Sequence, residues 1–195
     1  MALLAQRMRH AWWRWWLALL ATLTSTLCAG HVSAQSPLAR ENELKAVLLY
    51  NLTQFVEWPG AAFASSNASL SIGILGEDNF GPLLDDAVRG EKYGSRSIVV
   101  QRIRTVEEAL GCHIVFVSPS ENGRFDEIIS RLKGRSILTV ADSDGFIRAG
   151  GMVRFVRTPQ HKIRLRINAE AAKAADLSVS GKLLRVAELT HPEQD

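Results

Sequence analysis

Apolar residues recur at helical spacing between positions 41 and 58. Leu44, Val47, Leu48, Leu52, Phe55 and Val56 fall on one stripe, and Pro59 stops the segment. The spacing predicts a first helix over residues 41–58. Short, mostly apolar runs follow at 69–75, 97–103, 113–117 and 136–140, each the length of a buried strand. Helical stretches separate them. Residues 76–82 form a turn, and Pro82 opens a helix that runs to about Val88 and ends at Gly90. Thr105 caps a short helix with Glu107 and Glu108 in its first turn, where the dipole favours acids. Residues 121–132 form a further helix, closed by Lys133 and Gly134.

Repeated β-α-β units imply a parallel sheet covered on both faces. After Val140 the pattern changes. Residues 152–157 and 162–168 read as two strands joined by Thr158-Pro159-Gln160-His161, an antiparallel hairpin. The second strand alternates strictly, with Ile163, Leu165 and Ile167 on one face and Arg164 and Arg166 on the other. Helices at 169–175 and 180–189 end the chain, with Asn168 capping the first of them. The expected fold is α/β: a three-layer α/β/α sandwich, mostly parallel, with an added antiparallel C-terminal hairpin. Residues 35–195 read as one domain, without repeat or linker.

Composition changes the reading of the N-terminus. The chain carries 23 Lys and Arg against 20 Asp and Glu, a formal charge of +3. Arg7, Arg9 and Arg14 lie in the first 34 residues, which hold no acid, so the remainder is formally neutral. Four of the five Trp lie there too, leaving Trp58 alone in the rest of the chain. A basic start, an uncharged segment to about Gly30 and Val32-Ser33-Ala34 form the three-part pattern of a cleavable secretory signal over residues 1–34. Cys28 would leave with it, and Cys112 would remain as a single thiol at a strand start, without a disulfide partner. Neutral charge and export exclude nucleic acid as the expected partner.

No catalytic constellation is expected. Cys112 and His113 are neighbours at a strand start and point to opposite faces, and G-x-S-x-G is absent. His161 lies in the hairpin loop and His191 in the tail. No metal-ligand spacing occurs. Asp142-Ser143-Asp144-Gly145 fails the calcium-loop register at Phe146 and Ile147, and reads as a solvated turn. No cofactor is expected, because Gly76-Glu77-Asp78 would repel a pyrophosphate.

Two clusters remain as candidates for binding. Asp78, Asn79 and Phe80 follow the first long strand and Ser118 follows the third, where open α/β sheets bind ligands. Ordinary turn chemistry is the alternative for them. Arg154, Arg164 and Arg166 would share one hairpin face, either a solvated sheet face or a docking surface for an acidic partner. Trp58 either fills the core or anchors an interface.

The segment Lys45-Ala46-Val47-Leu48-Leu49-Tyr50-Asn51-Leu52-Thr53-Gln54-Phe55-Val56-Glu57-Trp58-Pro59 resembles the first-helix signature of the YfiR-like family. Weaker matches follow in order: Ile74 to Gly81, Cys112 to Ser118, Ile137 to Val140, Gly150 to Val153, and Arg166-Ile167-Asn168 ahead of Leu183-Leu184. The resemblance implies a periplasmic regulator rather than an enzyme. In the best-known form, such a protein binds the periplasmic region of an inner-membrane diguanylate cyclase and holds it inactive. An outer-membrane lipoprotein can sequester it, and cyclic-di-GMP and biofilm formation then rise. Other relatives resemble partners of membrane histidine kinases, which implies a small-ligand sensor as the alternative. The resemblance also implies a homodimer. Family disulfides are not possible within this chain, which keeps Cys112 alone.

Overall fold

Ser36 and Pro37 start the first helix, α1 (Pro37–Phe55), a turn ahead of the apolar stripe. The Ser36 hydroxyl accepts the Ala39 N–H at 3.2 Å and proline takes the first helical position, where its missing N–H costs nothing. These coordinates form a computed structural model that describes residues 36–160 and 162–190. The expected leader with Cys28, and also His161 and His191, lie outside the described residues.

The face that α1 buries differs from the expected stripe. Lys45, Ala46, Leu49, Leu52 and Thr53 are buried, whereas Leu44 and Val47 are 43% and 42% exposed. The helix is apolar on most sides from Leu44 to Leu49, so spacing alone does not choose a face; the sheet beneath it does. The helix also ends at Phe55 rather than at Trp58. Val56–Glu57 become a two-residue strand, β1, paired antiparallel with β9 (Ser178–Val179).

The main sheet has eight strands in the order β10-β8-β7-β6-β5-β2-β4-β3. Its parallel centre runs through β4 (Arg96–Ile103), β2 (Leu70–Leu75), β5 (Ile114–Val117), β6 (Leu138–Ala141) and β7 (Val153–Arg157). Every residue of β2, β5 and β6 is buried, as parallel strands covered on both faces require. β8 (Ile163–Ile167) returns antiparallel to β7, the expected hairpin. β3 (Lys92–Tyr93) pairs only with the first two residues of β4.

Helices cover the two faces unequally. On one face Ala46, Leu49 and Leu52 of α1, Leu84 and Val88 of α2 (Pro82–Val88), Ala172 of α5 (Ala169–Ala174) and Leu183 of α6 (Gly181–Val186) pack on Ile72, Ile74, Phe116, Val140 and Phe155. On the other, α3 (Val106–Ala109) and α4 (Phe125–Leu132) pack on Leu75, Ile103, Val115, Val117 and Ala141. This is the expected three-layer α/β/α sandwich. Two expected helices are shorter than the pattern suggested. Pro119–Arg124 is a 3-10 turn, so α4 begins at Phe125. The last helix stops at Val186, and β10 (Glu188–Leu189) pairs parallel with β8. Thr190 N–H donates to the Ile167 carbonyl at 3.1 Å, which satisfies part of the β8 edge.

Candidate functional site

The hairpin register sets Arg154 opposite Arg166 and Val156 opposite Arg164, so the three arginines share one face. Arg154 is also the register partner of Ala141, which packs under the α3–α4 layer. The three arginines therefore extend that face of the sheet beyond the layer. Their surroundings differ. Arg154 is buried and its guanidinium pairs with Asp144, which is 93% exposed. Arg166 Nε donates to Glu188 at 3.2 Å, and Arg164 approaches the same carboxylate at 3.8 Å. Arg164 is exposed, and one glutamate serves two guanidiniums. The cross-strand pair Arg154 and Arg166 is tolerated because Arg154 sits near Asp144 and Arg166 near Glu188.

Trp58 lies elsewhere. It is buried at the amino ends of the strands, where its indole N–H donates to the His113 carbonyl at 3.2 Å. Its ring meets Tyr93 edge-on at 5.5 Å. The indole is engaged inside the protomer, and the structure does not bring it to the hairpin arginines.

Asp78, Asn79, Phe80 and Ser118 do gather where β2 and β5 end. The chain leaves β2 for α2 on one face and β5 for α4 on the other, so the crevice between these strands is the topological switch point. That crevice is filled by the protein itself. A Cβ at Gly76 would stand 2.4 Å from Ser120 Oγ and 2.9 Å from Glu121 Cγ, and Ser120 Oγ accepts the Glu77 N–H at 2.9 Å. Asp78 Oδ1 accepts the N–H groups of Phe80 and Gly81, at 2.8 and 3.0 Å. Its Oδ2 accepts Arg102 Nε at 2.9 Å. The Asn79 carbonyl accepts from Asn42 at 2.8 Å. Phe80 is core, edge-on to Phe116 at 4.8 Å. Ser118 is wholly buried, and its Oγ has no hydrogen-bond partner among the described residues. Ser118→Ala is therefore expected to leave stability within about 0.5 kcal/mol of wild type, or to raise it, in urea unfolding. A loss above about 1.5 kcal/mol would reveal a partner for the hydroxyl.

A buried ion cluster near this end has only a faint sequence signal, the i, i+4 spacing of Glu41 and Lys45. Lys45 on α1 bridges Glu41 at 2.9 Å and Asp142 at 2.7 Å. Asp142 follows β6 and is largely buried, unlike the solvated turn expected of it; Asp144 is the exposed member of the pair. Arg157 reaches Glu41 at 3.3 Å. A second feature absent from the sequence reading is a cavity of 410 Å³ between α4 and α5, lined by residues that include Ile129, Thr139, Gly150, Met152, Ala171 and Ala175.

Cys112 is a weak nucleophile. Burial, reinforced by Glu108, pushes the Cys112 thiol up to about 11, so it stays protonated near neutrality. Among the described residues no three or more His, Cys, Asp or Glu side chains gather as metal ligands, and no helix is long and apolar enough to cross a membrane.

Comparison with known proteins places this geometry in a family. Two solved structures share the fold: an ABC domain from Streptococcus pneumonia in complex with L-Trp, and a conserved domain protein from Vibrio cholerae O1 biovar El Tor. The first is 12% identical with a TM-score of 0.50, the second 11% identical with a TM-score of 0.52. Each comparison covers 76% of this chain and 60% of the other, so this chain spans less than two thirds of either. No curated protein matches it. The family model DUF4154, described as YfiR/HmsC-like, matches residues 42–188, from the first turns of α1 to the start of β10. The chain thus belongs to the YfiR/HmsC-like family, a family of periplasmic regulators linked to diguanylate cyclase signalling.

Proposed function

We propose that residues 35–195, freed of the leader at 1–34, act in the periplasm as a non-enzymatic repressor. The protein binds the periplasmic region of an inner-membrane diguanylate cyclase and stabilises its inactive state. A ligand shifts such an equilibrium only by its differential affinity for the two states. Cyclic-di-GMP and biofilm formation then stay low until repression is relieved, in the fuller form of the reading by an outer-membrane lipoprotein. The working unit is a homodimer.

The observation that carries the docking site is the extension of one sheet face beyond its helical layer, presenting Arg164 and Arg166 with Glu188 as their shared acid. Arg154 supports that face from below through Asp144. An acidic partner would displace Glu188 and gain two guanidiniums suited to bidentate carboxylate recognition. Trp58, being buried, would act on this surface only through the fold. The double reversal Arg164→Glu and Arg166→Glu is expected to weaken partner binding at least about tenfold and to flatten its salt dependence. The far-ultraviolet spectrum and melting temperature should stay near wild type, since both side chains reach solvent. Unchanged binding would remove the hairpin from the interface. Deletion of the gene is expected to raise intracellular cyclic-di-GMP, and an unchanged level would overturn the repressor reading.

The cavity between α4 and α5 favours a second reading, a periplasmic small-ligand sensor that acts with a membrane histidine kinase. A kinase whose activity follows this protein in a ligand-dependent way would favour it.

A further inference from the structure

Residues 59–69 cross the amino ends of the strands and are mostly exposed. Their own backbone bonds are local: Ala62 to Pro59, Phe63 to Gly60 and Ala68 to Ser65. What ties the segment to the sheet is a small set of side chains. Phe63 stacks on His113 at 4.4 Å and on Tyr93 at 6.0 Å. The Arg96 guanidinium lies 3.9 Å from the centre of the Phe63 ring and donates to the carbonyls of Ser65 and Ala68, both at 2.8 Å. Ser69 and Ser97 share a hydroxyl–hydroxyl bond at 2.7 Å. His113, which supports the Phe63 ring, is buried.

The proton state of His113 is set by its neighbour. The Ser71 backbone N–H donates to Nδ1 at 3.1 Å, so Nδ1 is an acceptor and the neutral ring carries its proton on Nε2. Nε2 is buried with no hydrogen-bond partner among the described residues, and the Ala62 backbone favours the charged ring. A second proton would have to enter at Nδ1. It would face the Ser71 N–H as a second donor, with only the Ser71 hydroxyl oxygen at 3.0 Å to accept it, and place a cation in the cluster that already holds Arg96. The groups packed around the ring do not offset this charge. β4 contributes Arg96, the β3 side contributes the Tyr93 ring through Phe63, β2 contributes the Ser71 hydroxyl at 3.0 Å, and α1 and β1 lead to the Trp58 indole at 6.4 Å.

We propose that His113 and Phe63 form a pH-sensitive catch, in which protonation of the imidazole ejects it from the Ser71 contact and frees residues 59–69 from the sheet. Burial outweighs the opposing Ala62 backbone and, helped by the Arg96 charge, holds the His113 pKa below its ordinary 6.5, in keeping with a catch that is shut near neutrality and opens on acidification. Opening would also loosen Trp58, which is tied to the His113 carbonyl. The exported regulator would then present a different surface in an acidified periplasm.

Hydrogen exchange of the purified protein, corrected for the intrinsic pH effect, tests this with two readouts. As pH falls from about 6.5 to the lowered His113 pKa, exchange across residues 59–69 is expected to quicken by up to about tenfold per pH unit and to level off below it, while β2 and β5 stay protected. Imidazole resonances should show His113 titrating below 6.5, at the same midpoint as the exchange step. His113→Asn keeps an acceptor for the Ser71 N–H and cannot titrate, so its segment should exchange independently of pH. Should that variant not fold, the coincidence of the two wild-type midpoints decides. The proposal is overturned by pH-independent exchange of 59–69, by separate midpoints, or by an exchange step that survives in His113→Asn.

Discussion

Gly151→Ala should destabilise the fold by about 2–4 kcal/mol, the size expected when a well-packed interior receives an atom it cannot accommodate. A Cβ at Gly151 would stand 2.3 and 2.4 Å from two atoms of the Phe146 ring and 2.7 Å from the Phe146 carbonyl oxygen. Neither can retreat easily. Phe146 is fully buried and packs edge-on against Phe125 of α4 at 5.1 Å. Its carbonyl accepts the Gly151 N–H at 2.9 Å. The conflict is one of room, not of backbone conformation, because Gly151 is not at positive φ whereas its neighbour Gly150 is, at +98°. Gly60→Ala is the matched control, since a Cβ there meets nothing within 4 Å and its φ is ordinary. In urea unfolding the first variant should lower the midpoint at unchanged slope and the second should stay within about 0.5 kcal/mol. A Gly151→Ala protein as stable as wild type would show that the loop before β7 does not lie against Phe146.

That glycine pair illustrates what the sequence could carry. A Gly-Gly pair ahead of a strand is compatible with a bulge or a tight entry, and the structure adds that the Phe146 ring leaves Gly151 no room for a Cβ. The long elements were legible because each has a signal: four apolar runs for four of the five parallel strands, strict alternation for β8, and cap residues at Thr105 and Asn168 that do accept the helix N–H groups. The two-residue strands β1, β3, β9 and β10 were not legible, because two residues have no period and their pairing depends on which edge is near. The start of α1 carried a signal, a serine cap followed by proline, that the apolar stripe obscured. Its buried face carried none, since a helix apolar on most sides leaves the choice to its neighbours. The candidate site was legible as a set of positions but not in its state. Strand order places Asp78 to Phe80 beside Ser118. Ser120 and Glu121 fill the crevice between them, and Trp58 is inside the protein, through loop packing that has no sequence period.

Lys45 heads the first-helix signature, but nothing in the sequence pairs it with Asp142, and it should carry the second large effect. Lys45→Met is expected to cost about 2–4 kcal/mol, because it removes the cation from two largely buried carboxylates. Asp142 would suffer most: its Oδ2 loses a 2.7 Å partner, and its Oδ1 is already buried without a hydrogen bond among the described residues. Glu41 keeps Arg157 at 3.3 Å and should be the lesser loss. Burial disfavours the Lys45 ammonium, but the hydrogen-bonded carboxylates of Asp142 and Glu41 overcome it and hold the pKa above the ordinary 10.5. The sign follows from linkage. A group whose folded pKa is raised contributes fully below its unfolded value, and the contribution fades as pH rises from there through the folded pKa. Wild type should therefore lose part of its margin over Lys45→Met only above about pH 10.5, and the difference should be flat across neutrality. Charge removal on both sides separates pairing from burial. Lys45→Met combined with Asp142→Leu should recover much of the loss, since an apolar pair can replace a buried ion pair at little cost. A single variant within about 0.5 kcal/mol of wild type, or a double variant no better than the single, would mean that α1 is not held to the β6 end by this charge.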